Sequence, residues 1–533
     1  MSGITGWVSF GQDLTIRHDV LAAMTATLAP RGPDAGGMWT SKHAALGNRR
    51  LAVLDPAGGA QPMSVEHVTI TYNGEVFNFQ ELRADLRGRG HRFTTGTDTE
   101  VVLRGYLEWG LGVVERLNGM FAFALWDARG QRLVLVRDRL GVKPLHYYPV
   151  GNGLLFGSEP KAIFAHPASR KEVDADGLRE LFTHSHTPGR SGYKGLHEVK
   201  PGTILTADRS GLREHVYWRL ETAPHLDDDA ETAEEIRRLL QDTVARQLVS
   251  DVPVGVLHSR SIAALAAVPA FSLSFGGDAP IAGHEEIVLD PVELAQLRID
   301  AVRARDLPQG AGDLDFSLLA LCRVLRDRVS VVVSGEGADE LFGGHPWYHE
   351  PMVQQAHTFP WLVGSRAPFL RPDVLEILDL DTYVADGYAT AIREIGRLPG
   401  EADQDWRLRK MTYLHLTRYL RVLLDRLDRM SAAAGLEARA PFTDHRLVEY
   451  VYNAPSSLKT FDGKENYPSV EDSRYVAVLR DQYRELASDH PVFELVDRAW
   501  RVDAEPDRET RGALEQVLDL AEWLDVHRPH LKL

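Results

Sequence analysis

The run Val331-Val332-Val333-Ser334-Gly335-Glu336-Gly337 most narrows what this chain can fold into. Consecutive valines read as a strand buried on both faces, and the glycine-containing turn after them leads into a helix start at Ala338-Asp339-Glu340-Leu341-Phe342. Such a strand belongs to a parallel sheet covered by helices. Further β-type runs stand at Val252 to Leu257, Ala270 to Phe275 and Glu286 to Leu289, interleaved with helical periodicity at Pro291 to Ala304 and Phe316 to Arg326. The alternation predicts a doubly wound parallel sheet, followed from about Tyr383 by a mostly helical region. One interval conflicts with it. Parallel neighbours need a crossover of about a dozen residues, usually with a helix. Phe275 to Glu286, with its turn-like Gly276-Gly277-Asp278-Ala279-Pro280, is too short, and residues are expected to be absent there.

Residues 1–200 follow a different pattern. Short β-type runs at Val68 to Tyr72, Ala122 to Trp126, Leu133 to Arg137 and Gly153 to Gly157 are punctuated by Gly, Asn and Asp. Helical patterns lie at Asp19 to Leu28, Phe79 to Arg87 and Val101 to Trp109. These predict layered antiparallel sheets with flanking helices. Asp227-Asp228-Asp229 then opens a long helix on which Ile236, Leu239, Leu240, Val244 and Leu248 share one face, and its early acids suit the helix dipole. A chain of 533 residues exceeds one core, so two domains are expected, 1–210 and 225–533.

Charge and cysteine content restrict the chemistry. A formal charge of -16 argues against a nucleic-acid partner, because phosphate-backbone binding calls for a basic face. The single cysteine, Cys322, sits in an apolar run, which excludes a disulfide within one chain and predicts a small core residue. With no stretch of roughly 18 apolar residues and no signal-peptide pattern, a cytoplasmic protein without a membrane partner is expected.

Several short motifs follow one another in the first half: Met1-Ser2-Gly3-Ile4-Thr5-Gly6-Trp7-Val8, Arg31-Gly32-Pro33-Asp34, Asn48-Arg49-Arg50-Leu51, Tyr72-Asn73-Gly74-Glu75 and Gly96-Thr97-Asp98. Singly, Asn73-Gly74 is a hairpin signal and 31–34 a surface turn. Jointly, in this order, they resemble the glutaminase domain of class II glutamine amidotransferases. Together with the second half described below, the chain resembles the B-type glutamine-dependent asparagine synthetases, an N-terminal-nucleophile glutaminase joined to an ATP-pyrophosphatase domain.

The resemblance implies roles. Residue 2 is the nucleophile, with its own α-amine as base once the initiator methionine is removed. Asn73 and the Gly74 N–H form the oxyanion hole, and both count as catalytic. Arg50, with Leu51 and Val53 beside it, holds the glutamine carboxylate, a pairing that suits a guanidinium fork. Glu75 and Asp98 anchor the amino end. The family carries cysteine where this chain has Ser2, a replacement either natural or introduced. A hydroxyl gives up its proton less readily than a thiol, so glutaminase activity is expected to be weak or absent, with free ammonia still usable.

In the second half, Val331 to Gly344 is similar to the family's second nucleotide motif, a strand-to-helix turn whose backbone N–H groups meet anions. The resemblance assigns Leu257, Ser259, Leu273, Ser334 and Gly335 to ATP, Glu336 to the reacting centre as a catalytic residue, and Asp339 to Mg2+. Two departures stand out. The family's pyrophosphate loop is missing where Ser259 runs directly into Arg260-Ser261-Ile262, and Asn466 replaces a lysine, with Lys464 two positions early. Either active-site segments are absent from this sequence or the enzyme is naturally degenerate. The stretches Leu424 to Ser431 and Gly435 to Leu447 resemble the acceptor-binding region, with Asp428, Arg429, Ser431, Glu437 and Arg439 as candidates; buried ion pairs knitting the domains are the competing reading.

The implied reaction is ATP-dependent adenylation of a carboxylic-acid acceptor, aspartate or a specialised metabolite, followed by amide formation with ammonia from glutamine. The family also implies a homodimer. An inactive glutamine- or nucleotide-binding relative and an amidohydrolase using Ser2 are the alternatives.

Overall fold

The computed structural model describes residues 2–183, 186–276, 281–308, 312–362, 367–459, 470, 472–500 and 508–533. Its N-terminal half builds two antiparallel six-stranded sheets. One runs Gly3–Ser9, Ala35–Thr40, Ala44–Arg50, His146–Val150, Gly153–Gly157 and His197–Glu198, with Gly3–Ser9 paired between Ala44–Arg50 and Gly153–Gly157. The other centres on Val68–Val76, Gly119–Asp127 and Arg132–Arg137. Alternation along each strand decides what each face meets. Ile4, Val8, Leu46 and Phe156 face Ala122, Ala124, Trp126 and Leu135 to fill the space between the sheets. Trp7 and Ala45, on the opposite face, pack against Val20, Leu21 and Met24 of the His18–Ala26 helix. Leu82, Leu86, Val102 and Tyr106 cover the outer face of the second sheet. The layered antiparallel architecture with flanking helices is as expected.

The helix Asp229–Gln247 follows, opened by a capping box in which Asp228 and Glu231 satisfy each other's backbone N–H groups. Beyond it lies a parallel sheet of five strands in the order Glu285–Val288, Ala270–Ser274, Val254–Leu257, Val331–Ser334 and Glu437–Arg439. Val331, Val332 and Val333 are fully buried at its centre, as a strand covered on both faces must be. Cys322 is a buried core residue on the Asp313–Leu325 helix. The rest is mostly helical. A continuous rod runs through Asp403–Leu414, a π-turn at His415–Tyr419, and Leu420–Ala433. At the chain end His530–Lys532 pairs in parallel with Glu172–Asp174, tying the C-terminus onto the N-terminal half.

Ala270–Ser274 and Glu285–Val288 are parallel neighbours, joined by residues 275–284. Val288, on the outermost strand, is left exposed. The helix expected at Pro291 to Ala304 is broken at the single 3-10 turn Ala295–Leu297 into Pro291–Leu294 and Arg298–Arg305.

Candidate active sites

The pocket implied for glutamine lies where the two antiparallel sheets meet. Asn73 is fully buried, and neither its amide nitrogen nor its amide oxygen has a hydrogen-bond partner. A buried side-chain amide left unmet costs about 1–3 kcal/mol, so this one offers a donor and an acceptor that an incoming polar group can meet. Gly74 follows at φ +139°, and a Cβ there would stand 2.1 Å from the Met120 carbonyl oxygen. Only glycine fits there.

The acids of the pocket are buried together. Asp98, first in the Asp98–Trp109 helix, accepts from the Tyr72 hydroxyl at 2.9 Å and the Val76 N–H at 2.9 Å. Burial pushes its carboxyl up to about 6, with Glu437 adding to the shift and the two hydrogen bonds opposing it. Burial, then the charges of Asp98 and Glu437, holds Glu75 well above the ordinary carboxylate range, against the pull of Arg439. A cation brought between two carboxyls crowded this way would favour ionising both. Arg50 is buried too, and its guanidinium donates to the carbonyls of Leu54, Asp55 and Pro56 at 2.8–2.9 Å, clamping that loop. Leu51 and Val53 pack with Val331 of the second half.

Ser2 is buried at the start of the Gly3–Ser9 strand. Its carbonyl accepts from Arg31 Nε at 3.1 Å. The same guanidinium donates to Glu159 at 2.8 Å and, through both terminal nitrogens, to Asp428 at 2.7 and 3.2 Å. Lys143 Nζ also stands 3.6 Å from Asp428. The residues assigned by resemblance to the acceptor are therefore engaged elsewhere. Arg429 pairs with Asp425 at 3.0 Å and Glu159 at 3.5 Å, while Arg439 pairs with Glu437 at 2.8 Å and donates to the Gln247 and Val249 carbonyls. Ser431 donates its hydroxyl back to the Leu427 carbonyl at 2.5 Å. All five are buried where the Leu420–Ala433 helix and the Glu437–Arg439 strand meet the N-terminal half.

In the parallel sheet the chain direction of strand addition reverses between Val254–Leu257 and Val331–Ser334, the switch point at which open α/β sheets bind ligands. The carboxyl ends of these strands bring Leu257 and Ser259 against Ser334 and Gly335. A Cβ on Gly335 would sit 3.0 Å from the Ser259 hydroxyl, so the two motifs touch. His258 takes the left-handed conformation at φ +45°, and Ser259 caps the short Arg260–Leu265 helix. Leu273 is buried at the end of the adjacent strand. The turn from strand to helix is as abrupt as the sequence implies, with no glycine loop between them.

Glu336 receives a guanidinium nitrogen of Arg426 on both carboxylate oxygens, at 3.1 and 3.2 Å. Burial raises the Glu336 carboxyl, Arg426 opposes, and Glu340 and Asp339 reinforce the rise. Alongside stands an aromatic wall. His345 stacks on Trp347 at 4.5 Å and binds Glu340 at 2.6 Å, while the π-turn presents His415 and Tyr419 to Trp347 and Trp361. Sequence reasoning missed Arg426; its position two residues before Asp428 in the Arg- and Asp-rich run was the available signal. Lys464 and Asn466 lie outside the described residues. Asp339 stands at the start of the Ala338–Phe342 helix, and the described residues contain no cluster of three or more His, Cys, Asp or Glu side chains arranged to hold a metal. Asp339 is the carboxylate that the resemblance assigns to a metal here, and magnesium is commonly bound through one or two carboxylates together with substrate phosphates. No helix among the described residues is long and apolar enough to cross a membrane.

Comparison with known proteins bears on both sites. Residues 1–218 match a glutamine amidotransferase domain family, and residues 273–471 match the asparagine synthase family. Over 511 residues the chain is 41% identical to glutamine-hydrolysing asparagine synthetase 3 of Bacillus subtilis, covering 87% of this chain and 83% of that protein. Asparagine synthetase 1 of the same organism is 27% identical over 515 residues, covering 85% and 80%. Among solved structures, a glutamine phosphoribosylpyrophosphate amidotransferase from B. subtilis aligns at 17% identity and TM-score 0.32 over 50% of this chain and 65% of that one. The chain belongs to the glutamine-hydrolysing asparagine synthetase family, as an enzyme joining a glutamine amidotransferase domain to an ATP-using synthetase domain.

Proposed function

We propose that the chain forms an amide on a carboxylic-acid acceptor, with residues 1–210 supplying ammonia from glutamine and residues 225–533 activating the acceptor with ATP and Mg2+. The observation that carries the first half is the unpartnered, fully buried Asn73 amide beside Gly74. In this reading the Asn73 nitrogen and the Gly74 N–H donate to the amide oxygen of glutamine as charge develops on it. Asp98 and Glu75 take the glutamine ammonium, and Arg50 stands by the carboxylate. The nucleophile position is the weak point. The α-amine must take a proton from a hydroxyl rather than a thiol, so ammonia release is slow and the enzyme runs better on free ammonium.

On the synthetase side, ATP supplies the adenylyl group that activates the carboxylate. Ser259, Ser334 and Gly335 meet the nucleotide at the switch point, with Leu257 and Leu273 lining it and Asp339 oriented for the metal. Glu336, held by Arg426, receives a proton from the attacking ammonia as the amide forms and AMP leaves. Asp428 and Arg429 reach across to Arg31 and Glu159 of the N-terminal half, and Ser431, Glu437 and Arg439 are engaged within the second half, which leaves recognition of the acceptor to the surface around Glu336. The acceptor is aspartate or another carboxylic acid of specialised metabolism.

Pyrophosphate release with ammonium as nitrogen source, measured across aspartate and a panel of other carboxylic acids, tests the ligase. Turnover with at least one acid is expected; none at all would defeat it in favour of a non-catalytic binding protein. Glutamine hydrolysis should be weak as the chain stands and rise strongly in Ser2→Cys. Robust hydrolysis by the unaltered protein would overturn the assignment of Ser2 as the impediment.

A further inference from the structure

Two charged residues of the Leu420–Ala433 helix reach in opposite directions. Arg426 and Asp428 are two positions apart, about 200° around a helix, so they leave from opposing faces. Arg426 grips Glu336 at the synthetase centre, at 3.1 and 3.2 Å. Asp428 grips Arg31, whose Nε–H holds the carbonyl of Ser2 at 3.1 Å. Arg426, Asp428 and Arg31 are all buried. The next residue, Arg429, reaches Glu159, which is itself an acceptor for Arg31.

We propose that Asp428 is a positioning residue for the glutaminase, and that this helix couples the two active sites. The inference rests on the reading of Ser2 as the nucleophile position and Glu336 as the reacting centre. Glu336 lies on the turn that meets the nucleotide, so occupancy there bears on Arg426. The helix moves as a unit, and its displacement reaches Arg31 through two charge-assisted hydrogen bonds of fixed geometry. Arg31 then sets where the backbone of residue 2 stands, and with it the side chain that attacks. Where such coupling changes a binding affinity, it acts equally in both directions. It also explains why a synthetase-domain acid lies buried beneath the glutaminase nucleophile.

The test uses the full-length Ser2→Cys protein. It has one other thiol, Cys322, which is buried and pushed up to about 12, so iodoacetamide reports on residue 2. Its alkylation rate is measured with and without saturating α,β-methylene-ATP, whose binding is followed by calorimetry. A change of about 5-fold or more is expected. In Ser2→Cys/Asp428→Asn the nucleotide should still bind but leave the rate unchanged, and Ser2→Cys/Asp428→Glu should recover part of the response. Ser2→Cys/Arg31→Lys, which keeps the charge but loses the fork, should also be unresponsive. Nucleotide binding without a rate change in Ser2→Cys overturns the coupling while leaving the functional assignment intact, and so does a full response in Asp428→Asn. Failure of the analogue to bind overturns the synthetase reading and this inference with it.

Discussion

The buried acids of the glutamine pocket make a quantitative prediction about pH. Asp98 is pushed up to about 6, chiefly by burial, with Glu437 nearby. The glutamine ammonium can pair only with the ionised form. Ligand affinity should therefore track the ionised fraction of Asp98, near nine-tenths at pH 7 and about one-tenth at pH 5, so glutamine should bind about 10-fold more weakly at pH 5, or about 1.4 kcal/mol. If Glu75, which is raised further by burial and by Asp98, must also ionise, the slope of log affinity against pH exceeds one. Calorimetry on the unaltered protein is suited to this, because Ser2 leaves the ligand largely intact. Titrations at pH 5, 6, 7 and 7.5 in buffers of different ionisation heat would show proton release on binding, largest near and below pH 6. Asp98→Asn should bind glutamine on the order of 10-fold more weakly at pH 7.5 and lose the part of the slope that Asp98 supplies. An affinity constant within two-fold across the range, or unaltered binding by Asp98→Asn, would refute the argument that these carboxyls receive the ammonium.

Three other perturbations separate the proposed roles. Arg426→Gln leaves Glu336 beside Glu340 and Asp339 without its guanidinium, and ammonium-dependent pyrophosphate release should fall on the order of 100-fold, partly restored in Arg426→Lys; equal rates in all three proteins would exclude the pair from the reacting centre. Gly74→Ala places a methyl against the Met120 carbonyl in a conformation that side chains avoid, so glutamine binding should vanish in calorimetry while the melting temperature falls by several degrees. Glu515, which accepts from the Tyr475 hydroxyl, is pushed up to about 8 by burial and by Asp313. Between its unfolded value near 4.3 and about 8 the folded protein keeps a proton that the unfolded chain releases, so this residue's contribution to stability declines as pH rises through that window. Glu515→Gln should therefore gain in melting temperature relative to the unaltered protein between pH 5 and pH 8, and a constant difference would contradict the assignment.

The fold was legible wherever a local pattern answered to one environment. Val331 to Val333 could only be a strand covered on both faces, and alternation such as Ile4 and Val8 against Trp7 told the two faces of the first strand apart. Periodicity over Pro291 to Ala304 read as one helix because it does not register the 3-10 turn Ala295–Leu297 that divides it. The motif around Asn73 and Gly74 was legible because Gly74, at φ +139°, is required by backbone geometry. Asp428 was harder. In sequence it is a charge in an Arg- and Asp-rich helix, and nothing local distinguishes a group facing a substrate from one facing another domain. Its partner Arg31 lies nearly four hundred positions away, at a separation of 397, and belongs to a motif read for the glutaminase alone. Long-range ion pairs of this kind are set by domain packing, which periodicity does not encode. The residues that join the two chemistries are thus those that sequence assigns to one chemistry or the other, and the chain's division of labour is sharper in its motifs than in its buried charges.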